Sequence, residues 1–155
     1  MSEPTYLTEE GKADLEKELN TLVNVRRPEL AQKLKEAVAQ GDLKENADYH
    51  DAKEQQSFVE GRIQYLENIL RSAVMIDTDV ASDEVRIGST VVIREDGTSE
   101  DEEYMIVGPA EADPKHGKIS HESPIGKSLI GHKKGDKVRV QTPAGEVVFK
   151  LRKIK

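Results

Sequence analysis

The sequence has no cysteine and no tryptophan, and aromatic residues make up only 4% of it. Without cysteine there is no disulfide framework, no thiolate zinc site and no cysteine nucleophile. No apolar run approaches the roughly 18 residues of a membrane span, so no membrane partner is expected. The first ten residues, MSEPTYLTEE, lack both a basic flank and an apolar core, so they do not read as a secretory signal. A basic excess is missing too. Thirty acidic residues stand against twenty-three basic ones, a formal charge of −7. That argues against a wholesale grip on nucleic-acid phosphates and predicts little direct DNA binding. The expectation is a soluble cytoplasmic protein. What is present is 155 residues, 35% hydrophobic and 34% charged, a length for one domain or two small ones. A lean core beside so much charge fits long helices that expose most of their sides.

The chain changes character near residue 76. Up to there the apolar residues keep helical time. Leu15, Leu19, Leu22, Leu30, Leu34 and Val38 recur at steps of three, four or eight. Ala52, Gln56, Val59, Ile63, Leu66, Leu70 and Ala73 alternate steps of four and three, a heptad seam. Thr8 before Glu9 and Glu10 reads as an N-cap with acids on the helix dipole. Gly41 interrupts the pattern, and the short step to the second run predicts an antiparallel helical hairpin with its tip near 41–47. Pro28 must kink the first arm or split it, and a kinked, projecting arm is the favoured reading. From Asp77 the signals are β: Val85–Ile93, Tyr104–Val107, and a pair Lys137–Gln141 and Glu146–Leu151 around Thr142-Pro143-Ala144-Gly145. Ser123-Pro124 reads as the N-cap and first residue of a short helix ending at Gly131. The fold class is α+β: residues 1–76 an α-helical coiled-coil hairpin, 77–155 a small globular domain.

The chemistry concentrates at the tip, Gly41-Asp42-Leu43-Lys44-Glu45-Asn46-Ala47-Asp48-Tyr49-His50. Asp42 and Glu45 are three apart at an expected helix start. Their carboxylates would then form a capping box, or two oxygen ligands for a hard divalent cation with positions left for water or phosphate. By base rate the cap is the stronger reading. Two carboxylates are too few to hold Mg2+ without a partner's ligands. Lys35, Lys44 and Lys53 are solvated surface or a small patch for an RNA end. Tyr49 is a packing residue or a surface that meets a base. Gly126-Lys127-Ser128 lacks the preceding glycine of a phosphate loop. His50, His116, His121 and His132 show no metal-ligand spacing. The basic tail Lys150, Arg152, Lys153 and Lys155 reads as the exposed side of the last strand.

Several motifs in register carry a resemblance. The tip, with Val25-Arg26-Arg27-Pro28-Glu29, Glu54-Gln55-Gln56 and Glu60-Gly61-Arg62-Ile63, resembles the bacterial Gre transcript-cleavage factors of the GreA type. So do Ser123-Pro124-Ile125-Gly126-Lys127-Ser128-Leu129-Ile130-Gly131 and Thr142-Pro143-Ala144-Gly145-Glu146. The resemblance runs from about Leu7 to the C-terminus. It implies a coiled coil joined to an FKBP-like domain, acting as a monomer on RNA polymerase. It implies entry of the hairpin into the polymerase secondary channel, where the 3′ end of backtracked RNA lies. Asp42 and Glu45 would share Mg2+ with the polymerase active site, which cleaves the RNA, so the chain is not itself an enzyme. Ser123, Pro124, Ile125 and Gly126 match the loop by which the family docks. Val38, Ala39 and Gln40 stand where relatives often carry a basic residue, which leaves RNA contact to Lys35, Lys44 and Lys53.

Other functions are weaker. A family member that occupies the channel without cleavage would have a remodelled tip, whereas Asp-Leu-Lys-Glu-Asn is intact here. A prolyl isomerase needs aromatic pocket walls, and after residue 76 only Tyr104 and Phe149 are aromatic. A coiled-coil chaperone needs an apolar tip, and Leu43 and Ala47 alone are aliphatic between Gly41 and His50.

Overall fold

The computed structural model describes residues 5–78 and 82–155. The chain divides into two compact units, Lys12–Ser72, and Met1–Gly11 together with Ala73–Lys155. Both ends of the stretch read as hairpin therefore fall with the globular unit. The reason is a short parallel pairing of β1 (Thr5–Leu7) with β2 (Ala73–Met75), in the register Thr5↔Ala73 to Leu7↔Met75. Ala73 thus ends the seam by joining a strand.

The helical unit holds α1 (Glu9–Thr21, whose first residues lie in the other unit), a π-helical stretch Leu22–Arg26, α2 (Arg27–Ala39) and α3 (Ala47–Ser72). Thr8 caps α1 as expected: the Gly11 N–H donates to Thr8 Oγ1 at 3.0 Å. Pro28 neither splits the arm nor stops it. The helical backbone runs on, and the turn before the proline widens, with the Arg27 N–H donating to the Leu22 carbonyl five residues back. That widening relieves the clash a proline ring makes with the carbonyl one turn earlier. Across the hairpin the arms are antiparallel, since Glu18 meets Arg62 while the later Arg26 and Arg27 meet the earlier Gln55 and Glu60. Arg26 donates to Gln55 (2.6 Å), Arg27 pairs with Glu60 (2.7 and 2.8 Å), and Arg62 pairs with Glu18 (2.9 Å). Leu15, Leu30, Ala52, Ile63, Leu66 and Ile69 are buried along the seam. Ala37 is buried where Val38 was expected, and Val38 is 48% exposed.

In the globular unit five strands run in the order β5-β4-β3-β7-β6. They are β3 (Thr90–Glu95), β4 (Asp101–Val107), β5 (Lys118–Ser120), β6 (Lys137–Thr142) and β7 (Gly145–Ile154). Neighbours are antiparallel except β4 and β5. The short helix α4 (Pro124–Leu129) adds Leu129 to a core of Val91, Ile93, Ile106, Ile119, Val138, Val140, Phe149 and Leu151. Alternation along β7 puts Phe149 and Leu151 inside and Lys150 and Arg152 outside, as the sequence pattern predicts. The first strand starts at Thr90 rather than Val85. Val85 is buried, but a turn at Ile87–Gly88 separates it from the ladder. Among the described residues no helix is long and apolar enough to cross a membrane.

Candidate functional site at the hairpin tip

The tip is built around Asn46, which the sequence analysis passed over. Its amide NH2 donates to the Ala37 carbonyl at 2.7 Å and to the Gly41 carbonyl at 3.3 Å. Its carbonyl oxygen accepts from the Tyr49 N–H at 3.0 Å. One side chain thus satisfies the end of α2 and caps the start of α3. This overturns the capping-box reading of Asp42 and Glu45, because α3 begins at Ala47 and both acids precede it. Gly41 (φ +80°) ends α2 in the left-handed conformation that glycine adopts freely. Asp42 (φ +35°) is the one residue besides glycine with positive φ among the described residues.

With the cap supplied by Asn46, the two carboxylates have no internal task. Asp42 and Glu45 are exposed, and among the described residues neither makes a hydrogen bond or ion pair. Both line one open concavity together with Gln40, Gly41, Asn46, Ala47 and Asp48. Asp48, a third acid at that concavity, was not singled out by the sequence. Among the described residues no cluster of three or more His, Cys, Asp or Glu has the arrangement to hold a metal ion. The donor set therefore fits a hard cation only as a partial shell, completed from elsewhere. Lys35, Lys44 and Lys53 are exposed in α2, the tip turn and α3 respectively. Tyr49 is half-buried, edge-on to the His50 ring at 5.5 Å, and His50 Nε2 lies 3.2 Å from the Lys44 carbonyl.

The second candidate region is the start of α4. Ser123 Oγ accepts from the Gly126 N–H at 3.1 Å and donates to the Ser120 carbonyl at 2.7 Å, the expected N-cap. Gly126 is buried, and a Cβ there would come within 2.1 Å of the Ser120 carbonyl oxygen. Pro124 is exposed. Ile125 is half-buried and packs against the core, so it is partly a structural side chain and not a free apolar knob.

The class these features define is a two-part protein, a helical hairpin with an acidic tip joined to a compact α+β domain. Residues 5–75 match the family model described as "Transcription elongation factor, N-terminal", and residues 80–155 match "Transcription elongation factor, GreA/GreB, C-term". The chain is 51% identical to the transcription elongation factor GreA of Thermoanaerobacter pseudethanolicus, covering 100% of this chain and 99% of that one. It is 52% identical to that of Bacillus licheniformis, with 96% and 94% covered. A solved GreA factor homolog 1 of Thermus thermophilus shares 30% identity over 99% of each chain, at a TM-score of 0.46. The chain belongs to the GreA/GreB family of transcription elongation factors.

Proposed function

We propose that this factor rescues backtracked RNA polymerase by stimulating the polymerase's own cleavage of the transcript. The hairpin enters the secondary channel as a monomer and brings Asp42 and Glu45 to the active site. The observation that carries the reading is the pair of exposed carboxylates on one concavity, without a partner among the described residues, in a turn held by Asn46. A Mg2+ ion shared with the polymerase would activate water and stabilise the attacking and leaving oxygens. The chain's part is to supply two anionic oxygens at a fixed place. Lys35, Lys44 and Lys53 offer charge, and Tyr49 an aromatic face, to the RNA 3′ end. On its own the chain has too few ligands to act as a nuclease, and the cytoplasm, where polymerase works, is its expected location.

The test is a stalled, backtracked complex with labelled RNA. The double variant Asp42→Ala/Glu45→Ala should bind polymerase, fail to stimulate cleavage and compete with the parent protein. Stimulation by the double variant would defeat the tip-carboxylate mechanism. Docking is assigned to Ser123, Pro124, Ile125 and Gly126. Because Ile125 also packs inward, Pro124→Asp is the cleaner probe: an acid in the first turn favours the helix dipole while changing the exposed surface. Weaker capture of core polymerase is expected, and undiminished capture would move the docking surface elsewhere.

A further inference from the structure

The charge of −7 is unevenly spread. Residues 133–155 carry eight Lys and Arg against two acids, and residues 1–132 carry fifteen against twenty-eight. The fold gathers much of that basic tail on one face. Inward Val138, Val140, Phe149, Leu151, Val91 and Ile93 leave Lys137, Arg139, Lys150, Arg152 and Arg94 on the outer side of the sheet. Register then places Lys137 opposite Lys150, and Lys150 opposite Arg94, a row of three cations across three adjacent strands. Like charges directly opposite one another destabilise a sheet, and nothing in the packing of the domain calls for them.

A β-bulge adds to the face. Ile93 pairs with Leu151, but Val92 pairs with Lys153, so Arg152 is the extra residue. Leu151 and Ile154 both pack on the core, which leaves the consecutive Arg152 and Lys153 both on the outer face. Strict alternation would have turned one of them inward. Neutralisation is partial. Asp101 takes Arg94 at 2.8 Å and Arg152 at 3.7 Å, Glu146 takes Arg139 at 3.8 Å, and Glu103 takes Lys155 at 2.9 Å. Lys137, Lys150 and Lys153 have no acidic partner among the described residues.

We propose that this outer sheet face binds the phosphodiester backbone of single-stranded nucleic acid, apart from any contact made by the hairpin. The cations form two arms, about 10 Å across the strands and about 10 Å along β7 from Lys150 to Lys153, from strand spacing and rise. An extended polyanion fits that layout. An open sheet face offers no helix or ribbon to enter a duplex groove. Tyr104 and Phe149 pack on the core side, so no aromatic stacks bases, and binding is sequence-tolerant and steeply salt-dependent. The low mean charge that predicted little nucleic-acid binding averages over this polarity. The inference stands independently of the tip chemistry.

The experiment is fluorescence anisotropy of the full chain with labelled oligouridylate and oligothymidylate of about 20 nucleotides, a duplex of the same length, and polyglutamate as competitor. The triple variant Lys137→Gln/Lys150→Gln/Lys153→Gln should raise the Kd for single strands at least about tenfold at low salt. The slope of log K against log salt should become shallower by about 2, three lost contacts at about 0.7 each. Its melting temperature should stay or rise, since like-charge repulsion is relieved. Lys150→Arg should keep both affinity and slope. The proposal is overturned if the triple variant binds like the parent, or if Lys150→Arg loses binding as Lys150→Gln does. Polyglutamate displacing the oligonucleotide at equal charge would assign the face to an acidic protein instead, and tighter binding of the duplex would overturn the single-strand assignment.

Discussion

At residue scale the tip separates a backbone requirement from a chemical one. Asp42 holds φ +35°, a conformation that costs an L-residue about 1 kcal/mol, less for Asp and Asn, and glycine nothing. Asp42→Ala should therefore lower stability by up to about 1 kcal/mol, while Asp42→Gly and Asp42→Asn should not. All three lose the anionic ligand. If the carboxylate acts as proposed, cleavage stimulation collapses equally in the three, whatever their melts. Stimulation retained by Asp42→Gly would show that turn geometry, not charge, was the requirement. Asn46 answers to different physics. Asn46→Ala removes a cap and the ties to the Ala37 and Gly41 carbonyls, and should destabilise by about 1–2 kcal/mol. Asn46→Asp keeps an oxygen for the Tyr49 N–H but loses the donors to Ala37 and Gly41, so its melt should fall between parent and Asn46→Ala. A melt for Asn46→Asp as low as that of Asn46→Ala would show that the ties, not the cap, hold the tip.

At element scale the helices were legible where periodicity and caps speak locally. Thr8, the α3 seam from Ala52 to Leu66 and the Ser123-Pro124 start behave as their sequence implies, while at the end of α3 Ile69 is buried in place of Leu70 and Ala73 joins a strand. The tip was less so, because Asp42-x-x-Glu45 and Asn46-x-x-Tyr49 both offer a cap spacing, and only the observed start of α3 decides between them. β1 and β2 were invisible, since three-residue strands depend on a partner 68 residues away in sequence (Thr5↔Ala73). Ala37 replaces Val38 because it follows the buried Leu30 by one heptad step of seven, whereas the step of eight to Val38 leaves the stripe. Ion pairs then secure the antiparallel register. The hydrogen bond from Arg27 holds the Glu60 carboxyl below its ordinary range and raises the Arg27 guanidinium. A carboxyl depressed in the folded state contributes fully above its unfolded value of about 4.3 and loses that contribution as pH falls through the lower folded value. Hairpin stability, followed by helical circular dichroism during melts, should decline from about pH 5 downward. Glu60→Gln should flatten that decline, and an identical acid limb would remove the pair from the account.

At the scale of the whole molecule, the hairpin is an insertion between two strands of the other unit. Leu7 is fully buried, its carbonyl accepts the Ile76 N–H at 2.7 Å, and β1 pairs along β2. Glu111 reinforces the join, taking the Thr8 N–H at 2.7 Å and the Thr8 hydroxyl at 2.5 Å. A cut at residue 76 therefore strips the globular unit of a strand pair and of the Leu7 side chain, whose loss alone is worth about 2 kcal/mol of burial. Parallel strands need a crossover of about a dozen residues or more, which the hairpin provides and a flexible linker can replace. A chain with Lys12–Ser72 exchanged for a Gly/Ser linker of about 12 residues should fold and melt cooperatively. The fragment 77–155 should melt lower and expose apolar surface to a hydrophobic dye. Glu111→Gln in the linker chain should lower its melt only modestly, since an amide oxygen still accepts the Thr8 N–H while the charge-assisted part is lost. Equal melts for the linker chain and the 77–155 fragment would mean that β1 and β2 contribute nothing to the domain. The hairpin would then be an appendage to a unit complete from residue 77, and not an insertion within it.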